Sequence, residues 1–325
     1  MGNLKFIGKI ETARRRILLD QLVICLDVGG TFVKGTVYNN KNKPLLEGIN
    51  YYPAHANKGK EEILENFFQI MSDLYQQVAI NEKIVQTLMI AFPGPFDYEQ
   101  GICLIQGLNK YESLYQTNIK HALRQRIKHS QELLTTTDFS ISIFNDGTAF
   151  AFGEYASQSF AQKKGIYIAI GTGCGSTFIK NGEMIRGVCG IPRSGMIFNE
   201  PYKEGVIDDY LSARGLEQMI EQIIGEKLSP KTISDRAKRG DQAALAIFNQ
   251  FGHRAAEILT PYARLFHPDE IVFGGQISKS FEFMETGILA VFTKENIQTT
   301  IRATKDTSKA VIQGLNTLKI KKAGL

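Results

Sequence analysis

Leu26-Asp27-Val28-Gly29-Gly30-Thr31-Phe32-Val33-Lys34-Gly35 is the stretch around which the rest of the chain reads. An apolar run, Leu22 to Leu26, leads into an aspartate. Two glycines and a threonine follow, and Phe32, Val33, Thr36, Val37 and Tyr38 then resume a strand-like pattern. The pattern predicts a β-hairpin whose turn is Gly29-Gly30-Thr31. Two successive residues without a Cβ leave backbone N–H groups open to an approaching anion. Asp27, at the end of its strand, is placed to hold a hydrated cation over the same spot. An ordinary Gly-Gly hairpin with a solvated aspartate fits the stretch equally well, so the decision falls to the rest of the chain.

Further strands and helices follow in a regular order. Alternation around Ile49, Tyr51 and Pro53 predicts a third strand, and Glu61 to Val78 a helix with Ile63, Leu64, Phe67, Phe68, Met71, Leu74, Tyr75 and Val78 on one face. Ile84 to Phe92 reads as a buried strand stopped by Pro93-Gly94-Pro95, and Gly101 to Tyr115 as a loop centred on Asn109, Lys110 and Tyr111. After a helix at Asn118 to Lys128, the strand Ile141 to Phe144 ends on Asn145-Asp146-Gly147-Thr148, and a helix starts within Ala149 to Tyr155. A carboxylate at such a junction sits where open α/β sheets bind ligands. It is equally the residue type that caps a helix.

The opening logic then repeats. Strand Gly165 to Ile170 runs into Gly171-Thr172-Gly173-Cys174-Gly175-Ser176, and Thr177 to Lys180 returns from it. Ile185 to Pro201 is irregular, and long helices are expected at Leu216 to Leu228 and Ala243 to Phe266. Ile271-Val272-Phe273-Gly274-Gly275 is a third strand-to-glycine turn, and Lys305 to Ile320 a last helix. Two Gly/Thr turns with a strand-end aspartate between them could hold the two ends of a phosphate chain.

Composition narrows the field less. The 325 residues suffice for two domains, and 43% hydrophobic with 22% charged content is ordinary for a globular protein. A net charge of +5 without a long basic run fits anionic small molecules as well as nucleic acid. Of the four cysteines, Cys25, Cys103 and Cys174 lie in apolar or glycine-rich contexts and none forms a C-x-x-C pair with Cys189 or with each other, which suits reduced thiols. No apolar stretch reaches the length of a membrane span and no signal-peptide core is visible, so a cytoplasmic protein without a membrane partner is expected. Residues 1–20 carry Lys9 and Arg14 to Arg16 but are too few for a helix-turn-helix. They read as a solvated extension, and nucleic acid is not expected as a partner.

Taken in register, from about Ile24 to the C-terminus, these turns resemble the ROK family of sugar kinases and related repressors, within the actin-like ATPase superfamily. Asp27-Val28-Gly29-Gly30-Thr31 with Lys34 resembles the family's first phosphate motif, and Gly171-Thr172-Gly173-Cys174-Gly175 the second. Phe92-Pro93-Gly94-Pro95 resembles its sugar-domain turn and Asn145-Asp146 the pair that ends in the catalytic base. Pro268 to Ser278 resembles the strand and turn that support the adenosine.

The resemblance implies an α/β fold of two actin-like (ribonuclease H-like) domains with a cleft between them. The small domain would be residues 21–140 with the C-terminal helix 305–325, and the large one residues 141–304. It implies Asp146 as general base and Gly94, Asn109, Asn145, Arg193 and Asn199 as the sugar site. Asp27, Gly29, Gly30, Thr31, Gly171, Thr172 and Gly173 would hold the phosphates, with Gly274, Gly275 and Gln276 at the adenosine. Lys34 would add charge there or point to solvent. ATP would be the co-substrate, Mg²⁺ would be anchored on Asp27 through water, and a homodimer is expected because dimers are common in the family.

Two departures stand out. Zinc-containing members carry a cysteine cluster that Tyr202 to Leu211 lacks, so no structural zinc is expected. The usual Glu and His that bind sugar hydroxyls are replaced by Met196 and Asn199 within Ser194-Gly195-Met196-Ile197-Phe198-Asn199. A thioether is a weak acceptor, whereas an amide both donates and accepts, so sugar choice should change or shift to Arg193, Glu200 or the Asn109 loop. The expected activity is ATP-dependent phosphorylation of a hexose or hexose derivative. The alternatives are a sugar-binding regulatory protein that has lost the activity and a kinase that uses polyphosphate.

Overall fold

The computed structural model describes residues 19–157 and 163–323, so the extension expected at residues 1–20 lies almost wholly outside the described residues. The chain divides into two compact units. One runs up to Ala149 and resumes at Leu315; the other is Phe150–Gly314.

In the first unit, β1 (Asp20–Val28), β2 (Phe32–Asn39), β3 (Asn50–Pro53), β4 (Lys83–Phe92) and β7 (Thr135–Asn145) form one sheet in the order β3-β2-β1-β4-β7. Helix α1 (Lys60–Gln77) follows β3, the small hairpin β5 (Phe96–Asp97) and β6 (Ile102–Cys103) follows β4, and α2 (Ile119–His129) precedes β7. The strand pairs β1–β2 and β2–β3 are antiparallel, whereas β1–β4 and β4–β7 are parallel. Helix α1 forms because its apolar residues recur at helical spacing. It buries Ile63, Leu64, Phe67, Met71 and Leu74 against Leu22, Ile24 and Leu26 of β1. Each such side chain contributes about 1.5–3 kcal/mol when withdrawn from water. Gly35 makes the close approach possible, since a Cβ there would stand 2.6 Å from Leu74.

The second unit repeats the scheme. Strands β8 (Lys164–Ile170), β9 (Cys174–Lys180), β10 (Glu183–Met184), β13 (Glu270–Gly274) and β14 (Thr300–Ala303) are ordered β10-β9-β8-β13-β14. Two antiparallel pairs are again followed by two parallel ones. Between β10 and β13 lie the hairpin β11 (Pro201–Tyr202) and β12 (Gly205–Val206), then α4 (Ile207–Tyr210), α5 (Ala213–Ile224), α6 (Pro230–Lys238) and α7 (Gln242–Phe266). Helix α3 (Asp146–Ala156) leaves the first unit for the second, and α9 (Thr307–Ala323) returns. Helix α8 (Phe281–Lys294) packs on α7, where Cβ atoms at Gly252 and Gly287 would run into the backbone of Met284 and Asn249. No helix among the described residues is long and apolar enough to cross a membrane.

Several expectations need correction. Strand β7 starts at Thr135 rather than Ile141, because its polar first half still pairs with β4 at Val85 and Thr87. Strand β7 runs across residues 140/141, and the compact units divide after Ala149 and again after Gly314. Helix α5 stops at a left-handed Gly225 and does not reach Leu228. Helices α6 and α8 and strand β14 have no counterpart in the sequence reading. Helix α6 buries little beyond Ile233, Ser234 and Ala237, and β14 is four residues long, so neither shows a usable period.

Candidate active site

In the first unit the parallel register sets the site. Asp27 lies opposite Ala91 of β4, and Ala91 opposite Phe144 of β7, so the carboxyl ends of three strands share one edge. Asp27 is 7% exposed and faces Lys34 across the hairpin, with Lys34 Nζ 3.0 Å from Asp27 Oδ2. Burial pushes the Asp27 carboxyl above its ordinary pKa, and the Lys34 ammonium pulls it part of the way back. Lys34 is thus neither a solvent-directed side chain nor a free one: its ammonium is held at Asp27.

The turn beyond Asp27 is built from both sides. Gly29 N donates to Phe32 O at 3.0 Å, and a Cβ on Gly29 would stand 2.9 Å from that same oxygen, so only glycine closes the turn this tightly. Fully buried Tyr111 donates its hydroxyl to Gly29 O at 2.7 Å, and Thr31 O accepts from Ala54 N at 3.0 Å. The amides of Gly30 and Thr31 meet no protein acceptor among the described residues. A Cβ on Gly30 would meet only the side chain of Lys110, at 3.5 Å from Cδ.

Asn145 and Asp146 end β7 and begin α3. Asn145 Oδ1 accepts from Thr148 N at 3.1 Å, so the capping role that the sequence allowed for Asp146 is filled by its neighbour. Asp146 Oδ1 accepts from Gly147 N at 2.9 Å, at the end of the helix that favours negative charge. Even so, burial and then the Asp27 charge raise the Asp146 pKa, against the Gly147 amide and the charge of Lys110.

Tyr98 completes the group. Its hydroxyl donates to Phe92 O and accepts from Asn145 Nδ2, both at 3.1 Å. Burial and the nearby Asp146 charge push its phenol upward. Gly94 fits beneath it, since a Cβ there would stand 3.3 Å from the Tyr98 hydroxyl. Asn109 is exposed, with a left-handed φ of 53°, and its amide donates to Glu112 Oε1 at 2.9 Å. Asp27, Gly29 to Thr31, Gly94, Asn145 and Asp146 therefore converge within one unit.

The second unit carries the other set. Gly171 N donates to Gly173 O at 2.9 Å, closing a turn in which a Cβ on Gly171 would meet nothing within 4 Å. Asp208 backs this turn, accepting from Cys174 N at 2.6 Å and lying 2.9 Å from a Cβ built on Gly173. Burial raises the Cys174 thiol pKa, leaving it an inert core group. Gly274 pairs with Ala169 of β8, which puts Gly274, Gly275 and Gln276 on the same strand edge as Gly171, Thr172 and Gly173. Gly275 has φ 84°, donates to Thr307 Oγ1 at 3.1 Å, and its missing Cβ makes room for the carbonyl of Ile170. Arg193 and Asn199 are exposed in the irregular stretch, and Met196 is half-buried. That stretch is tied down by Ile197 N donating to Ser176 Oγ at 2.9 Å and Asp208 N donating to Phe198 O at 2.9 Å. Tyr98 and Asp208 were not among the residues singled out from sequence, and Lys110 was named there only as part of the loop centre, with no role. Among the described residues no group of three or more His, Cys, Asp or Glu could hold a metal ion.

Comparison with known proteins decides the lineage. The ROK family pattern matches residues 23–320. The chain belongs to the ROK family. Among relatives of this ROK protein, the N-acetyl-D-glucosamine kinase of Haemophilus influenzae is 25% identical over 279 residues, covering 80% of this chain and 85% of the relative. The ROK hexokinase of Thermus thermophilus superposes with a TM-score of 0.71 at 18% identity, covering 93% of this chain and 99% of that one. A ROK family glucokinase from Streptomyces griseus, solved with glucose and AMPPNP, gives a TM-score of 0.66 at 21% identity over 91% of this chain and 98% of that one. The repeated five-strand scheme is accordingly the two-domain actin-like ATPase fold.

Proposed function

We propose that this ROK protein transfers the terminal phosphoryl group of ATP to a hydroxyl of a hexose or hexose derivative. The observation that carries the reading is the Asn145–Asp146 junction, set on the same sheet edge as Asp27 and a turn whose Gly30 and Thr31 amides meet no protein acceptor among the described residues. The relatives matched by sequence include an N-acetyl-D-glucosamine kinase and a glucokinase, which favours an enzyme over a regulatory protein.

Phosphoryl transfer asks for placement and charge neutralisation. The sugar hydroxyl oxygen attacks the terminal phosphorus, the bond to the bridging oxygen breaks, and ADP departs. Asp146 takes the hydroxyl proton. Its raised pKa brings it nearer working pH, which suits a general base. Asn145 has one amide hydrogen committed to Tyr98 and a second to offer a neighbouring hydroxyl. Gly94 and Asn109 of the first unit and Arg193 and Asn199 of the second are each assigned to the sugar, with Asn199 and Met196 setting which sugar fits. In the first unit the amides of Gly30 and Thr31 are assigned to phosphate; in the second, Gly171 to Gly173 are assigned to phosphate and Gly274 to Gln276 to the adenosine.

The residues present fit a hydrated Mg²⁺ brought in with the nucleotide: Asp27 is a buried carboxylate, and its charge and that of Asp146 oppose each other. Asp27 would hold the ion through water, and the ion would supply neutralisation of phosphate oxygens. Lys34, paired with Asp27, favours the charged form of that carboxyl against its burial rather than reaching the phosphate itself.

The test is a panel of hexoses and N-acetylhexosamines with ATP, or with polyphosphate as a second donor, read by coupled ADP detection and product mass. Asp146→Ala should lower turnover by about 10²–10⁴-fold. Turnover of that variant within a few-fold of the parent protein would overturn the assignment.

A further inference from the structure

Lys34 follows the first phosphate turn in the chain, Lys110 reaches it, and Lys58 shares a hollow with Lys110; the structure separates the three. Lys34 is committed to Asp27 at 3.0 Å, and Lys58 pairs with Glu62 at 3.4 Å. Lys110 makes no ion pair with any described residue, although its stem lies over Gly30, with Cδ 3.5 Å from where a Cβ would be. It lines an open hollow of about 260 Å³ with Ala56, Asn57, Lys58, Asn109, Glu112 and Ser113, and the Glu112 carboxylate there is engaged by Asn109 N.

The loop that presents it is anchored to the turn itself. Next to Lys110, Tyr111 donates its hydroxyl to Gly29 O at 2.7 Å and its amide to Ala56 O at 2.6 Å. On the other side, Asn109 N is held by Glu112 Oε1 at 2.9 Å, and Ser113 donates to Lys58 O at 2.7 Å. A cation on a freely moving loop would lose much of its value to ordering entropy; here the neighbouring residues meet that cost in folding.

We propose that Lys110 is the lysine that contacts the phosphoryl group in flight, donating from its ammonium to the oxygens of the terminal phosphate over the Gly29–Thr31 turn. The assignment rests on the kinase reading above. In the transfer, negative charge spreads over the three equatorial oxygens between the leaving bridging oxygen and the attacking hydroxyl. Lys110 takes no part in the proton transfer: the hydroxyl proton passes to Asp146, and Lys110 supplies charge and hydrogen bonds only. The same positive charge holds down the Asp146 pKa, so one side chain serves both the phosphate and the base.

The experiment compares Lys110→Met, which keeps most of the apolar stem, with Lys110→Arg and Lys110→Gln. Turnover of the Met and Gln variants should fall about 10²-fold or more, with partial recovery in the Arg variant. Calorimetry supplies the second readout. The parent protein should bind AMPPNP more tightly than ADP, and Lys110→Met should lose that preference while ADP binding stays within about twofold, which also shows that the variant is folded. An active parent with Lys110→Met turnover within about threefold would overturn the Lys110 assignment and leave the kinase reading standing. A parent that binds both nucleotides but phosphorylates no sugar would overturn the kinase reading. The Lys110 assignment, which rests on that reading, would fall with it, whereas Lys110→Met turnover near that of an active parent overturns the Lys110 assignment alone.

Discussion

Tyr98→Phe removes one oxygen and nothing else. That oxygen donates to Phe92 O and accepts from Asn145 Nδ2, each at 3.1 Å. Two neutral hydrogen bonds at about 0.5–1.5 kcal/mol each put the stability loss at about 1–3 kcal/mol, read by urea unfolding at neutral pH. The functional consequence is narrower. Asn145 keeps its other fixed point, Oδ1 on Thr148 N at 3.1 Å, so its carboxamide is loosened rather than released. A loss of about 1 kcal/mol in the contact it makes to a sugar hydroxyl corresponds to about a fivefold rise in sugar KM. KM for ATP should not move, because Tyr98 touches neither glycine turn. The decisive assay is a double-mutant cycle with Asn145→Ala. If Tyr98 acts through Asn145, adding Tyr98→Phe to Asn145→Ala changes sugar KM no further. An equal fivefold rise in both backgrounds, or a change in ATP KM with sugar KM constant, would refute the reasoning.

Other outcomes follow from the same geometry. Asp27 and Asp146 both have folded pKa values raised above those of an unfolded chain. Their ionisation therefore opposes folding, and stability should fall as pH rises from the ordinary carboxylate range through the raised values. Asp146→Asn should flatten that slope in urea titrations across pH while abolishing most turnover. Lys34→Met strands the Asp27 carboxylate and should cost about 1–3 kcal/mol, less than for a fully buried pair because Lys34 keeps some contact with water, and should raise the ATP KM. Gly171→Ala and Gly275→Ala separate function from folding. The first has open space and should fold normally with altered nucleotide KM. The second, at φ 84° against the Ile170 carbonyl, should lose about 3 kcal/mol or more and express poorly.

Much of the fold was legible because its signals are local. A Gly-Gly turn between alternating strands, an apolar period over Glu61 to Val78, and a strand ending in Asn-Asp each lie within a few residues of one another. Elements whose signal is tertiary were not. The first half of β7 reads as a polar loop, Thr135 to Ser140, and is a strand only because β4 offers it a partner. Helix α8 is apolar on most sides, so its sequence has no face to declare, and its seat on α7 depends on glycines in two separate helices.

The site divides along the same line. Asp27, Asp146 and the glycine corners could be read because each sits at a strand end, where the type of residue and its position in the pattern coincide. Tyr98 and Lys110 could not, since an aromatic after Pro-Gly-Pro and a lysine in a polar loop are what any surface turn carries. What gives Tyr98 its place is a strand-end carboxamide 47 positions along the chain. What gives Lys110 its place is a glycine turn 82 positions away from its neighbour Tyr111. The lysine that sequence position singled out, Lys34, turned out to serve the aspartate, because the antiparallel register puts it directly across from Asp27. Hairpin register thus reassigns the charge: Lys34 stabilises a carboxylate, and Lys110, whose stem lies against Gly30, is left to meet the phosphate.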